Sequence, residues 1–193
     1  MKAFFDIDTQ LDFMIPAGAL YVPGAENILP KVAELNRYAA AQGIPVISTT
    51  CAHTEDAAEF KQWPPHCVSG TFGQLKPAIT LLKKRVVIPT TPCDVRIEGA
   101  QQIIVEKNEL DVFSNPNFLP LLDKLGVTEC DVYGVLFDYC VGLAAMGLLK
   151  TGGSDFHGQN KKDIQLGAAN GRRVPREFFD TLVERLAGIR KAG

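Results

Sequence analysis

Four short runs punctuate the chain: AFFDID (3–8), PVIST (45–49), QIIVE (102–106) and CDVYGV (130–135). They are rich in aromatic or β-branched residues and lack strict alternation, which predicts parallel strands covered on both faces. Between the first two, ENILPKVAELNRYAAAQG repeats at helical spacing. Ile28, Val32, Leu35 and Ala39 share one face, Asn27 is placed to cap the start, Pro30 suits the first turn and Gly43 marks the stop. SNPNFLPLLDKLG (114–126) predicts a second, shorter helix ending at Gly126, and CVGLAAMGLLK (140–150) a third that begins where its strand ends. Strand and helix alternate, so the expected fold is α/β: a doubly wound, mainly parallel sheet flanked by helices. Its ligand site is expected at the carboxyl ends of the strands, where Asp8, Cys51, Lys107 and Cys140 all fall.

The pattern changes after Lys150. TGGSDFHGQNKKDIQLGAANGRR is polar and Gly-rich, with a weak strand candidate at 164–166, and VPREFFDTLVERLAG reads as an amphipathic helix turning Phe178, Leu182 and Leu186 inward. Residues 1–150 are therefore expected to form the main domain, and 151–193 an atypical tail rather than a domain of its own.

Composition narrows the partners. With 193 residues and 46% apolar content the chain can bury one sizeable core, and a net charge of −2 without a basic run argues against a nucleic-acid partner. A small, roughly neutral molecule fits better. MKAFFDID has neither the basic start nor the apolar core of a secretory leader, and no apolar run is long enough for a membrane span. Five cysteines, an odd number without C-x-x-C spacing, predict reduced thiols and a cytoplasmic location.

Cys140, at a strand-to-helix junction, would feel the positive end of a helix dipole, which favours thiolate. Singly, Cys140, Lys107 and Asp8 are unremarkable: a small buried thiol, a surface lysine, an acid at a strand end. Together at one sheet edge they make a different proposition. The carboxylate can take the thiol proton, the ammonium can stabilise the thiolate, and a thioester intermediate becomes feasible.

The motifs resemble those of the isochorismatase-like cysteine hydrolases. FFDIDTQLDFM (4–14) carries D-x-Q-x-D-F at Asp8, Gln10, Asp12 and Phe13, WPPHCVSGTFG (63–73) is similar to the nicotinamidase branch, EKNELDVF holds the expected lysine, and GVLFDYC the strand-to-nucleophile turn. The resemblance covers about residues 1–150. It implies a triad of Asp8 as proton acceptor, Lys107 as electrostatic partner and Cys140 as nucleophile, with the backbone N–H groups of Leu136 and Cys140 as oxyanion donors. It also implies Phe13, Trp63 and Phe113 as aromatic walls around a flat substrate. No cofactor is needed for the thiol chemistry, but the nicotinamidase branch has a metal beside the nucleophile. His53 and His66 match its ligand positions, Cys51 replaces an expected Asp, and Glu59 stands where some relatives have another histidine. All four residue types can ligate zinc or iron.

The tail departs from this family, which continues into a further apolar strand. TGGSDFHGQNKKDIQLG resembles instead the end of a PHP phosphoesterase domain, where residues spaced like Asp155 and His157 bind metal. The chain lacks the His-x-His motif that such a centre also needs, so no phosphoesterase is expected. The mismatch predicts a chimeric junction near LLKTGG and a sheet whose last strand is missing or replaced. An exposed edge of that kind favours association, so a homo-oligomer is allowed. Two functions stay open: a nicotinamidase-like amidase with a small-molecule amide substrate, or a catalytically impaired binding protein that keeps the fold and pocket.

Overall fold

The computed structural model describes residues 1–135 and, further along, residues 168–169 and 172–173. Five strands form one all-parallel sheet: β1 (Lys2–Ile7), β2 (Val46–Cys51), β3 (Arg85–Ile88), β4 (Gln102–Lys107) and β5 (Glu129–Gly134), in the order β3-β4-β2-β1-β5. The expected sheet is thus present, parallel throughout. Every residue of β2 is buried, as are most of β1 and β4, which is why their sequences run apolar without alternation. RVVI of β3 gave no strand signal: it is a four-residue edge strand, partly exposed and closed off by Pro89, so its pattern is too short to read.

Among the described residues three α-helices accompany the sheet: α1 (Leu11–Met14), α2 (Leu29–Ala41) and α3 (Phe118–Leu125). α2 follows the sequence pattern with two differences. A 3-10 turn, Ala25–Ile28, precedes it, so Ile28 rather than Asn27 is the cap residue and no side chain caps the helix. Ile28 lies outside the helical register and is 38% exposed, and the buried face is Val32, Ala33, Asn36 and Ala39. α3 buries Phe118, Leu121 and Leu122 and ends, as expected, at Gly126, whose φ of 60° is the left-handed conformation glycine adopts without strain. Phe118 meets Phe5 of β1 edge-on, ring centres 6.3 Å apart, in the core beneath the sheet.

The order of the sheet reverses at β1, which pairs with β2 on one side and β5 on the other. In an open parallel sheet that reversal opens a crevice at the carboxyl end of the strand, directly after Ile7. No helix among the described residues is long and apolar enough to cross a membrane.

The chain divides into two compact units, Met1–Leu136 and Phe137–Gly193. In the second, the described residues form a small antiparallel ladder of β6 (Ala168–Ala169) and β7 (Arg172–Arg173). The expected helices at 140–150 and 174–188, the weak strand at 164–166 and the fate of the last sheet strand all lie outside the described residues.

Candidate active site

Asp8 follows β1 directly and is completely buried, with a φ of 50°. A non-glycine residue in the left-handed region costs about 1–2 kcal/mol, so the surroundings must hold it there. Its effect can be read from the register. Asp6 pairs with Ser48 and Ile7 with Thr49, so on a straight strand Asp8 would share the face of Asp6 and Ser48. Instead its carboxylate accepts a 2.6 Å hydrogen bond from Thr49 Oγ1, on the opposite face. The backbone is pinned as well: Asp8 N–H donates to the Thr49 carbonyl at 3.2 Å, and Gln10 N–H to the Asp8 carbonyl at 2.8 Å.

Lys107 is the last residue of β4 and pairs with Cys51, the last of β2. Parallel partners direct their side chains to the same face, which is also that of Thr49. The Lys107 ammonium, 1% exposed, lies 3.0 Å from Asp8 Oδ2, donates to Cys51 Sγ at 3.1 Å and reaches the Glu109 carbonyl at 3.2 Å. Lysine and aspartate are seldom buried this deeply unless paired. Burial, reinforced by the Asp8 charge, pushes the Cys51 thiol up to about 12 despite the neighbouring ammonium. Cys51 is therefore a neutral thiol at physiological pH.

The other polar residues of the D-x-Q-x-D-F motif act as splints. Gln10 holds the end of β2 from both sides, accepting from Cys51 N–H at 2.7 Å and donating to the Cys51 carbonyl at 2.8 Å and the Gln74 carbonyl at 2.7 Å. Asp12 accepts from Cys67 N–H at 2.6 Å and Ala19 N–H at 2.9 Å. Gly73 is required there because a Cβ would collide with the Asp12 carboxylate. These bonds tie the 67–75 segment over the strand ends.

Beyond β2 lies a second cluster. His53, Glu59 and His66 bring their ligating atoms within 4.8 Å of one another. Glu59 Oε1 is 3.3 Å from His53 Nε2 and 3.2 Å from His66 Nε2. His66 Nδ1 is 2.8 Å from the Pro64 carbonyl and must donate to it, so it is Nε2, 3.2 Å from Glu59, that a neutral ring would offer to a metal. His53 is 1% exposed, yet neither ring nitrogen makes a well-formed hydrogen bond, although the Asn108 backbone lies beside the ring. Burial, then His66 and Lys107, pull its pKa down to about 4, so it is neutral and able to ligate. Burial also raises Glu59. Two imidazoles and a carboxylate, one imidazole buried with neither ring nitrogen in a well-formed hydrogen bond, fit a divalent metal such as zinc or iron. Cys51, expected with them, is not in this cluster: as the strand-end partner of Lys107 it turns to the ammonium, whereas His53 lies past the strand end.

The three expected wall aromatics differ in burial and in neighbours. Phe13 is buried beside His66, ring centres 5.4 Å apart; Phe113 is half-buried and edge-on to Phe118 at 5.1 Å; Trp63 is 38% exposed. Cys140 and Leu136, with Asp155 and His157 of the tail, fall outside the described residues. Sequence reasoning missed Thr49, the hydroxyl bonded to Asp8; its signal was three consecutive polar residues, Ser48, Thr49 and Thr50, inside a fully buried strand.

The isochorismatase domain model matches residues 2–153. The chain belongs to the isochorismatase family. Within that family it is nicotinamidase-like. The nicotinamidase/pyrazinamidase of Mycobacterium tuberculosis is 28% identical over 163 residues, 79% of this chain and 81% of the relative. The pyrazinamidase of Pyrococcus horikoshii, solved in complex with zinc, is 28% identical with a TM-score of 0.64, covering 77% of this chain and 78% of that one. The pyrazinamidase/nicotinamidase of Streptococcus mutans is 25% identical with a TM-score of 0.65, covering 77% and 80%. The chain is thus an isochorismatase-family hydrolase of the amidase type.

Proposed function

We propose that this isochorismatase-family protein hydrolyses a small carboxamide, nicotinamide or a close analogue, to the carboxylic acid and ammonia through a thioester on Cys140. The observation that carries the reading is the buried Asp8–Lys107 pair, 3.0 Å apart at the carboxyl ends of β1 and β4. Asp8 takes the Cys140 thiol proton while Lys107 balances the charge. The sulfur then attacks the carbonyl carbon, with the N–H groups of Leu136 and Cys140 as donors to the developing oxyanion. The carbon–nitrogen bond breaks, the proton held by Asp8 goes to the departing nitrogen, and ammonia leaves. Water, deprotonated by Asp8, releases the acid and restores the thiol. Phe13, Trp63 and Phe113 would supply apolar walls around the substrate ring.

Ammonia release from nicotinamide and a panel of carboxamides, compared between the unaltered protein and Cys140→Ala, tests this. Loss of about 10³-fold or more is expected for the variant, in keeping with removal of a nucleophile. Release that does not depend on Cys140 would support a different hydrolytic centre. No release from any member of the panel would favour a binding protein.

His53, Glu59 and His66 would hold a divalent metal, and when bound it would supply an electrophile for a ring nitrogen of the substrate. Zinc titration against a chromophoric chelator should give about one site per chain, weakened about tenfold or more by His53→Ala or His66→Ala. Cys51→Ala should leave the affinity within about threefold, since its sulfur faces Lys107. Equal weakening by Cys51→Ala would place that thiol among the ligands. A reducing compartment such as the cytoplasm suits the chain, whose Cys51, Cys67, Cys93 and Cys130 are free.

A further inference from the structure

On the opposite side of β1 lies a second buried aspartate–lysine pair that the proposed mechanism does not use. Asp6 is fully buried inside the strand, and the Lys76 ammonium lies 3.0 Å from its Oδ2. Asn36 Nδ2 and Ser48 Oγ donate to the same oxygen at 3.1 and 3.3 Å. The other oxygen, Oδ1, accepts from Thr9 Oγ1 at 2.7 Å, and that hydroxyl in turn accepts from Lys76 Nζ at 2.6 Å. Thr9 is thus held by both members of the pair.

The register gives this contact its meaning. On a straight continuation of β1, Thr9 would point to the face of Ile7 and Thr49, and Asp8 to the face of Asp6 and Ser48. Both residues are found on the face opposite to expectation: Thr9 bonds to Asp6, Asp8 to Thr49. A single left-handed residue at Asp8 inverts the alternation. Nothing in the D-x-Q-x-D-F motif itself demands the inversion on the Thr9 side, whereas the Asp6–Lys76 pair supplies a buried acceptor and donor there. We infer that Thr9, anchored by Asp6 and Lys76, is a positioning residue: by holding its hydroxyl on one face of the sheet it forces the Asp8 carboxylate to the other, where Lys107 lies.

The inference rests on the amidase reading, in which Asp8 is the base. Its effect belongs to kcat, because an improperly aimed base slows proton transfer without removing a substrate contact. Kinetics with nicotinamide, or the best carboxamide of the panel, read the prediction together with thermal melts. Thr9→Val keeps the shape but removes the hydroxyl; it should fold and lower kcat by about tenfold or more, with KM within about threefold. Thr9→Ser restores the hydroxyl and should recover most of that loss. A second variant guards against a folding defect. Asp6→Val combined with Lys76→Met replaces the pair by apolar side chains, a change buried ion pairs often tolerate. Asn36 keeps the Thr80 carbonyl and Ser48 keeps Gln102 as partners. This double variant should also lose kcat about tenfold or more. Folded Thr9→Val, or the folded double variant where Thr9→Val is not recovered, with kcat within about twofold of the unaltered protein overturns the inference, as does a Thr9→Ser loss equal to that of valine. An unaltered protein without Cys140-dependent ammonia release overturns the amidase reading instead.

Discussion

Asp8→Asn is expected to lower kcat for carboxamide hydrolysis by about 10²–10⁴-fold, with KM within a few-fold. The asparagine oxygen can still accept the Thr49 hydroxyl, now 2.6 Å from Asp8 Oδ1, so the turn after β1 keeps its local support. On the proposed mechanism, what is lost is the capacity to take a proton from the nucleophile and return it to the departing nitrogen. Because that transfer occurs on the way to the transition state, the loss belongs to kcat rather than to ground-state binding. Steady-state kinetics on folded variant decide the matter. A variant that retains more than about a tenth of the original kcat would show that another group serves as the base.

Lys107→Met should be the most destabilising single change at the site. The Asp8 carboxylate would remain fully buried while the ammonium 3.0 Å away is removed, and leaving one member of a buried pair costs about 3–5 kcal/mol. For a chain of this size that corresponds to a fall in Tm of roughly 6–20 °C. Adding Asp8→Asn to Lys107→Met removes the stranded charge as well, so the double variant should regain most of the lost stability while remaining inactive. Such strong non-additivity is the mark of residues acting as a unit. A Tm for Lys107→Met within about 2 °C of the unaltered protein would mean that the carboxylate is not held as a buried charge.

The two aspartate–lysine pairs explain why part of the site was legible and part was not. Asp8 and Lys107 could be found because one directly follows and the other ends a strand whose apolar run marks its own boundary, and parallel strands deliver their carboxyl ends to one edge. The separate role of Cys51 could not be found that way. The family resemblance set it beside His53 in a ligand set, at the position of an expected Asp, but Cys51 is the last residue of β2 and pairs with Lys107, while His53 has already left the sheet. Sequence spacing counts residues and does not reveal on which face of a strand a side chain stands.

From the sequence alone followed the α/β class, four of the five sheet strands, α2 and α3, and the family motifs around Asp8 and Lys107. Each of these depends on local periodicity or on a short ordered motif, both of which are properties of consecutive residues. Only the tertiary structure decided the order of the strands, the gathering of His53, Glu59 and His66, and the linking of Asp6, Thr9 and Lys76. These join residues as many as 127 positions apart, as where Lys2 of β1 pairs with Glu129 of β5. Their partners are chosen by sheet register and by the need to satisfy buried charge, and neither is written in the neighbourhood of any one residue.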